Sequence, residues 1–206
     1  MTAKEVFDKG IEKLKTFNVR GLLPALRAAN EGAMEDVLNT NGCALYQWST
    51  CLVDELKPKQ IVELGGAMGV WSICVLHTLP SESKLYSITL PEGGLEFVYI
   101  VDKYTNFIPV LGNDLDLNNW PKDLDLGKTD LWFVDSLHEE SHLRKELDLY
   151  SPFFKKDAII LFDDIHINEN MEKVWEDIKK GKYGITSWHD GTSPLHYSGF
   201  GLACII

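Results

Sequence analysis

At 206 residues, with 45% hydrophobic and 25% charged residues, the chain can bury a full sheet and its covering helices, and its composition excludes a disordered or fibrous protein. The formal net charge of −11 argues against a nucleic-acid substrate, since the densest basic cluster is Lys179-Lys180 with Lys182. No apolar run approaches a membrane span: Ala158 to Phe162 is strand-sized, so no membrane partner is expected.

Residues 1–14 are charged and amphipathic and lack the apolar stretch of a secretory signal. Cys43, Cys51, Cys74 and Cys204 form no CxxC pair and no zinc-finger spacing. Together these features lead to an expected cytoplasmic location.

Val6, Ile11, Leu14 and Phe17 recur at roughly helical spacing, so the first forty residues read as helix, turn and helix, punctuated by Gly21, Pro24 and Gly32. Residues 44–56 are another helix candidate, closed by Lys57-Pro58. From there short apolar strands alternate with helix-length segments. Strands are predicted at 61–64, 84–90, 107–111, 130–134 and 158–162, and helices at 70–79, 95–105, 138–150 and 169–180. The tail, 183–188 and 199–206, reads as two further strands joined by a turn-rich loop. This alternation implies right-handed crossovers and a doubly wound, mostly parallel seven-stranded sheet with helices on both faces. A closing hairpin would add antiparallel pairing at one edge. No repeat or linker divides the chain, so one domain is expected over 1–206, an N-terminal helical segment (1–56) joined to an α/β core (57–206). Ligands should lie beyond the carboxyl ends of the strands.

At the first strand end, Glu63-Leu64-Gly65-Gly66-Ala67-Met68-Gly69 gives a glycine turn with an acid before it. The spacing from Gly65 is G-x-x-x-G, which satisfies neither the dinucleotide fingerprint nor a Walker A loop. Such a turn can be structural or can let backbone approach a ligand. Glu63, inside a buried strand, needs a partner to offset desolvation. At the fourth and fifth strand ends stand Asp135, with His138 three residues on, and the pair Asp163-Asp164. One Asp after a strand is commonly a helix cap. Neighbouring parallel strands would instead gather all three carboxylates at one edge, a donor set suited to a hard cation such as Mg²⁺.

The E-x-G-x-x-x-G station resembles motif I of class I S-adenosylmethionine-dependent methyltransferases, closest to the metal-dependent small-molecule O-methyltransferases of catechol and sugar type. Asp135-Ser136-Leu137-His138 with the later acid Glu146 resembles that family's D-G-x-H pattern. Pro152 to Asp164 resembles its L-K-x-G-G turn, strand and acid pair, with Lys156-Asp157 in place of two glycines. The resemblance spans roughly residues 58–168. It implies S-adenosylmethionine bound by Glu63, Gly65 and Gly69, with Asn113 and Asp114 near the adenine. Thr89 stands where the family carries a ribose-binding acid, so Glu92 is the candidate for that role. The resemblance further implies a divalent metal on Asp135, Asp163 and Asp164, His138 as general base, and a sugar or phenolic hydroxyl as acceptor. It leaves a homodimer open. Trp71 departs from the pattern, since the family often carries Ser there and this chain has Ser72 one residue later.

Two alternatives accompany this reading. His138-Glu139-Glu140-Ser141-His142 formally matches the H-E-x-x-H helix of zinc hydrolases. The departures at Trp71, Thr89 and Lys156-Asp157 would also suit a degenerate methyltransferase fold that binds without turnover.

Overall fold

The structure, a computed structural model, describes residues 1–17, 44–93, 97–191 and 196–206. The expected second N-terminal helix, with Gly21, Pro24, Gly32 and Cys43, lies outside the described residues, as does the loop 192–195.

Seven strands form one sheet, β1 (Gln60–Leu64), β2 (Lys84–Thr89), β3 (Phe107–Leu111), β4 (Leu131–Val134), β5 (Ile159–Phe162), β6 (Ser187–Gly191) and β7 (Phe200–Cys204). Their order is β3-β2-β1-β4-β5-β7-β6. The first five are parallel, and β7 runs antiparallel to both β5 and β6. Central strands covered on both faces read as continuous apolar runs. In β4 the alternation splits the residues between two cores: Leu131 and Phe133 join one, Trp132 and Val134 the other. Helices α1 (Ala3–Leu14), α2 (Ala44–Leu56) and α3 (Val70–Leu76) supply residues to the first core. Helices α5 (Glu140–Tyr150) and α6 (Glu169–Lys179) supply the second, and α4 (Phe97–Lys103) precedes β3.

Helix α1 opens with a capping box, in which Thr2 and Glu5 satisfy each other's backbone N–H. It is tied to α2 by the Trp48 indole, which donates to the Phe7 carbonyl at 3.2 Å, and to β6 by Ala3 N–H donating to Ser187 Oγ at 2.8 Å. Helices α1 and α2 are therefore built into the same core as the sheet.

Two boundaries differ from expectation in ways that matter. The strand expected at 183–188 begins only at Ser187, because Gly181, Tyr183 and Gly184 all take positive φ and turn the chain first. Helix α5 starts at Glu140, since Glu139 is extended with φ −124° and His138 precedes it. No helix among the described residues is long and apolar enough to cross a membrane.

Candidate active site

The strand order reverses between β1 and β4, where doubly wound sheets open a crevice for ligands. The chain leaves β1 through Gly65 at φ 89°, and both Gly65 N–H and Gly66 N–H donate to the Ile88 carbonyl, at 3.0 and 2.9 Å. Gly69, at φ 73°, caps α3. Both are left-handed positions that favour glycine.

Beneath this turn lies Glu63, 1% exposed. Ser72 and Ser87 both donate hydroxyl hydrogen bonds to its Oε2. Burial pushes its carboxyl up to about 7 against the pull of those two bonds. Trp71 points inward instead and stacks on Phe133 at 4.3 Å between ring centres, so the departure at that position leaves a serine on Glu63. Lys156-Asp157 is accommodated as well, because Asp157 itself adopts the left-handed φ of 65° that a glycine would supply.

Above the turn opens a cleft of about 630 Å³. Of the residues expected at a cofactor, Gly65, Glu92, Asn113 and Asp114 line it, and Thr89 does too. Glu63 and Gly69 are not part of the lining; they sit under and behind it and shape the turn. Asn113 Oδ1 is engaged locally, accepting from Leu115 N–H at 2.9 Å.

Asp135 lines the same cleft. The register of β4 on β5 pairs Val134 with Phe162, so the residues that follow, Asp135 and Asp163, emerge side by side. Asp164 takes φ 54°, a conformation short polar residues tolerate. Its N–H donates to Asp163 Oδ1 at 2.9 Å. His138 stands between the carboxylates, with Nε2 3.1 Å from Asp135 Oδ1 and Nδ1 3.3 Å from Asp164 Oδ2. The three expected acids and the expected base are thus brought together.

Sequence reasoning missed a fifth member. His196 Nε2 lies 3.3 Å from Asp163 Oδ1 and its Nδ1 3.7 Å from Asp164 Oδ1, while the Ser198 hydroxyl donates to Asp164. Asp163, Asp164 and His196 offer donor atoms within 4.8 Å of one another. Burial, then the charges of Asp135 and Asp164, hold the Asp163 carboxyl well above the usual range. Burial also raises Asp135, although His138 opposes it, and the Asp135 partner raises His138.

The H-E-x-x-H reading is corrected here. His138 lies outside the helix and faces Asp135 and Asp164, whereas His142, on α5, faces Asp114 at 3.1 Å and Glu146 at 3.8 Å. A zinc hydrolase helix needs both imidazoles on one face of one helix.

No curated protein sequence matches the chain. Among solved structures, a methyltransferase of Podospora anserina with bound S-adenosylhomocysteine superposes with a TM-score of 0.67 at 14% identity, over 90% of this chain and 87% of that one. The O-methyltransferase TomG of Streptomyces achromogenes, from tomaymycin synthesis and solved with S-adenosylmethionine, gives 0.60 at 16% identity, over 100% and 99%. An O-methyltransferase of Bacillus cereus with S-adenosylhomocysteine gives 0.62 at 14%, over 93% of each. At these identities the likeness establishes the fold, the Rossmann-like methyltransferase sheet. A family model described as a methyltransferase domain matches residues 62–165, just over half of the chain and the stretch that holds the glycine turn, the cleft and the carboxylates. The chain belongs to the methyltransferase domain family.

Proposed function

We propose that the chain is an S-adenosylmethionine-dependent O-methyltransferase acting on a hydroxyl of a small molecule, sugar or phenolic, with a divalent cation beside the acceptor. The observation that carries this reading is Asp135, which lines the cleft over the glycine turn and also contacts His138 in the carboxylate cluster. The donor and acceptor halves of a methyl transfer therefore adjoin. The two solved O-methyltransferases above share this fold at full or nearly full length, which favours oxygen as the accepting atom. The N-terminal helices share the first core with the sheet, so the whole chain is read as one domain.

Asp135, Asp163 and Asp164, with His196 alongside, fit a divalent cation. Buried carboxylates that raise one another need positive charge between them, and oxygen donors with one imidazole supply a hard to borderline site. A cation held there would polarise an acceptor hydroxyl. Gly65, Thr89, Glu92 and Asn113 would bind S-adenosylmethionine, with Asp114 at the edge of the cleft and Glu63 fixing the turn through Ser72 and Ser87. When bound, that cofactor supplies its sulfonium methyl and retains the C–S electron pair as S-adenosylhomocysteine. His138 would take the hydroxyl proton on a ring nitrogen, and the flanking Asp135 and Asp164 would stabilise the imidazolium. The acceptor oxygen, relieved of its proton, would take the methyl group, and the residues lining the cleft would hold donor and acceptor in line.

Methyl-labelled S-adenosylmethionine, incubated with the protein, Mg²⁺ and a panel of sugar and phenolic acceptors, tests this. Labelled ether that disappears in Asp164→Asn is the expected result. Cofactor binding without transfer to any hydroxyl would point to a binding protein instead.

A further inference from the structure

A second group of donors lies on α5, apart from the carboxylates that follow β4 and β5. His142 and Glu146 are four residues apart, the spacing that shares one helix face. Asp114, from the turn after β3, meets them. His142 Nε2 is 3.1 Å from Asp114 Oδ2 and 3.8 Å from Glu146 Oε1, and the three donors lie within 4.8 Å of one another. Glu146 is 1% exposed, and neither of its carboxylate oxygens has a hydrogen-bond partner.

We propose that Asp114, His142 and Glu146 form a second divalent-metal site, of the Zn²⁺ type, at the edge of the cleft. A buried carboxylate is normally paired or bound to a metal, and Glu146 is approached by Asp114, the His142 imidazole and the Ser136 hydroxyl, with no cationic side chain among them. A divalent ion with a neutral imidazole balances two ionised carboxylates. The spacing also fits. Zinc bonds of about 2.0–2.1 Å in a tetrahedron place ligands roughly 3.4 Å apart, and the observed 3.1 and 3.8 Å bracket that edge. One imidazole with two carboxylates suits zinc better than magnesium. The cluster is pre-organised, since the Tyr150 hydroxyl on α5 donates to the Asp114 carbonyl and the Trp120 indole donates to that hydroxyl at 2.9 Å. Asp114 and His142 line the cleft, which gives an ion its entry and a fourth coordination position its opening.

The inference rests on these three side chains and does not depend on methyl transfer. Metal-free protein is dialysed against Zn²⁺ with Mg²⁺ in excess, and bound zinc is counted by elemental analysis. The expected result is an equivalent of zinc that Asp164→Asn retains, with affinity reduced at least about tenfold in His142→Ala and Glu146→Gln. Glu146→Gln keeps the side-chain shape, and its melting curve in chelator reports folding; Asp114→Asn serves as a second variant if it fails to fold. No stoichiometric zinc in the wild type, or zinc lost in Asp164→Asn yet kept in Glu146→Gln, overturns the assignment.

Discussion

A Cβ built on Gly65 would stand 2.0 Å from the backbone carbonyl oxygen of Asp135. The glycine turn and the first acid of the cluster are therefore in van der Waals contact through their backbones, and one fixes the height of the other. Gly65→Ala meets that clash at φ 89°, where a side chain is already strained. We expect a loss of about 3 kcal/mol, read by urea denaturation, together with loss of S-adenosylhomocysteine binding. An alanine variant as stable as the wild type would contradict this packing.

Glu63 makes stability pH-dependent in a defined direction. Burial raises its folded-state carboxyl to about 7, above the ordinary 4.5, so the unfolded chain releases this proton first as pH rises. The contribution is fully present below 4.5 and lost as pH climbs through about 7, on the order of 3 kcal/mol across that window. Glu63→Gln should flatten this part of the stability–pH curve. Equal slopes for both proteins would place the buried acid's pKa elsewhere.

The carboxylate cluster should destabilise the protein when no cation is present. Removing one of the mutually repelling acids by Asp163→Asn should raise the melting temperature in chelator by a few degrees, equivalent to about 1–2 kcal/mol. The same substitution should abolish the rise that Mg²⁺ gives the wild type. Thermal melts with chelator and with Mg²⁺ separate the two effects, and an unchanged Mg²⁺ response would remove Asp163 from the ligand set.

His138 is held between Asp135 and Asp164 and lies outside the cleft lining. His138→Ala should lower kcat/KM about 10²- to 10⁴-fold, the usual reach of general-base catalysis, and leave S-adenosylhomocysteine affinity unchanged. A parallel loss of binding would make His138 a cofactor residue instead.

Strand alternation exposed the sheet to sequence reading because central strands are apolar on both faces, and Asp135 and Asp163-Asp164 stood out as acids ending such runs. His196 was hidden for a topological reason. The antiparallel return of β7 beside β5 pairs Phe162 with Gly201 and brings residues 196–199 against those after β5, as His166 N–H donating to the Ser198 carbonyl at 2.8 Å shows. Pairing the predicted closing strand with the fifth would have revealed it. The Asp114–His142 contact was illegible, since only the folded turn after β3 brings a loop acid to α5. Likewise Ser72 and Ser87, nine and twenty-four residues from Glu63, meet it through the fold alone.

The proposed function requires the cleft over Gly65 to bind the methyl donor beside a cation site. Calorimetric titration with S-adenosylhomocysteine, with and without Mg²⁺, tests it most directly. Micromolar binding that Gly65→Ala abolishes is the expected result. No binding in either condition would contradict the assignment, leaving the methyltransferase sheet without its cofactor chemistry.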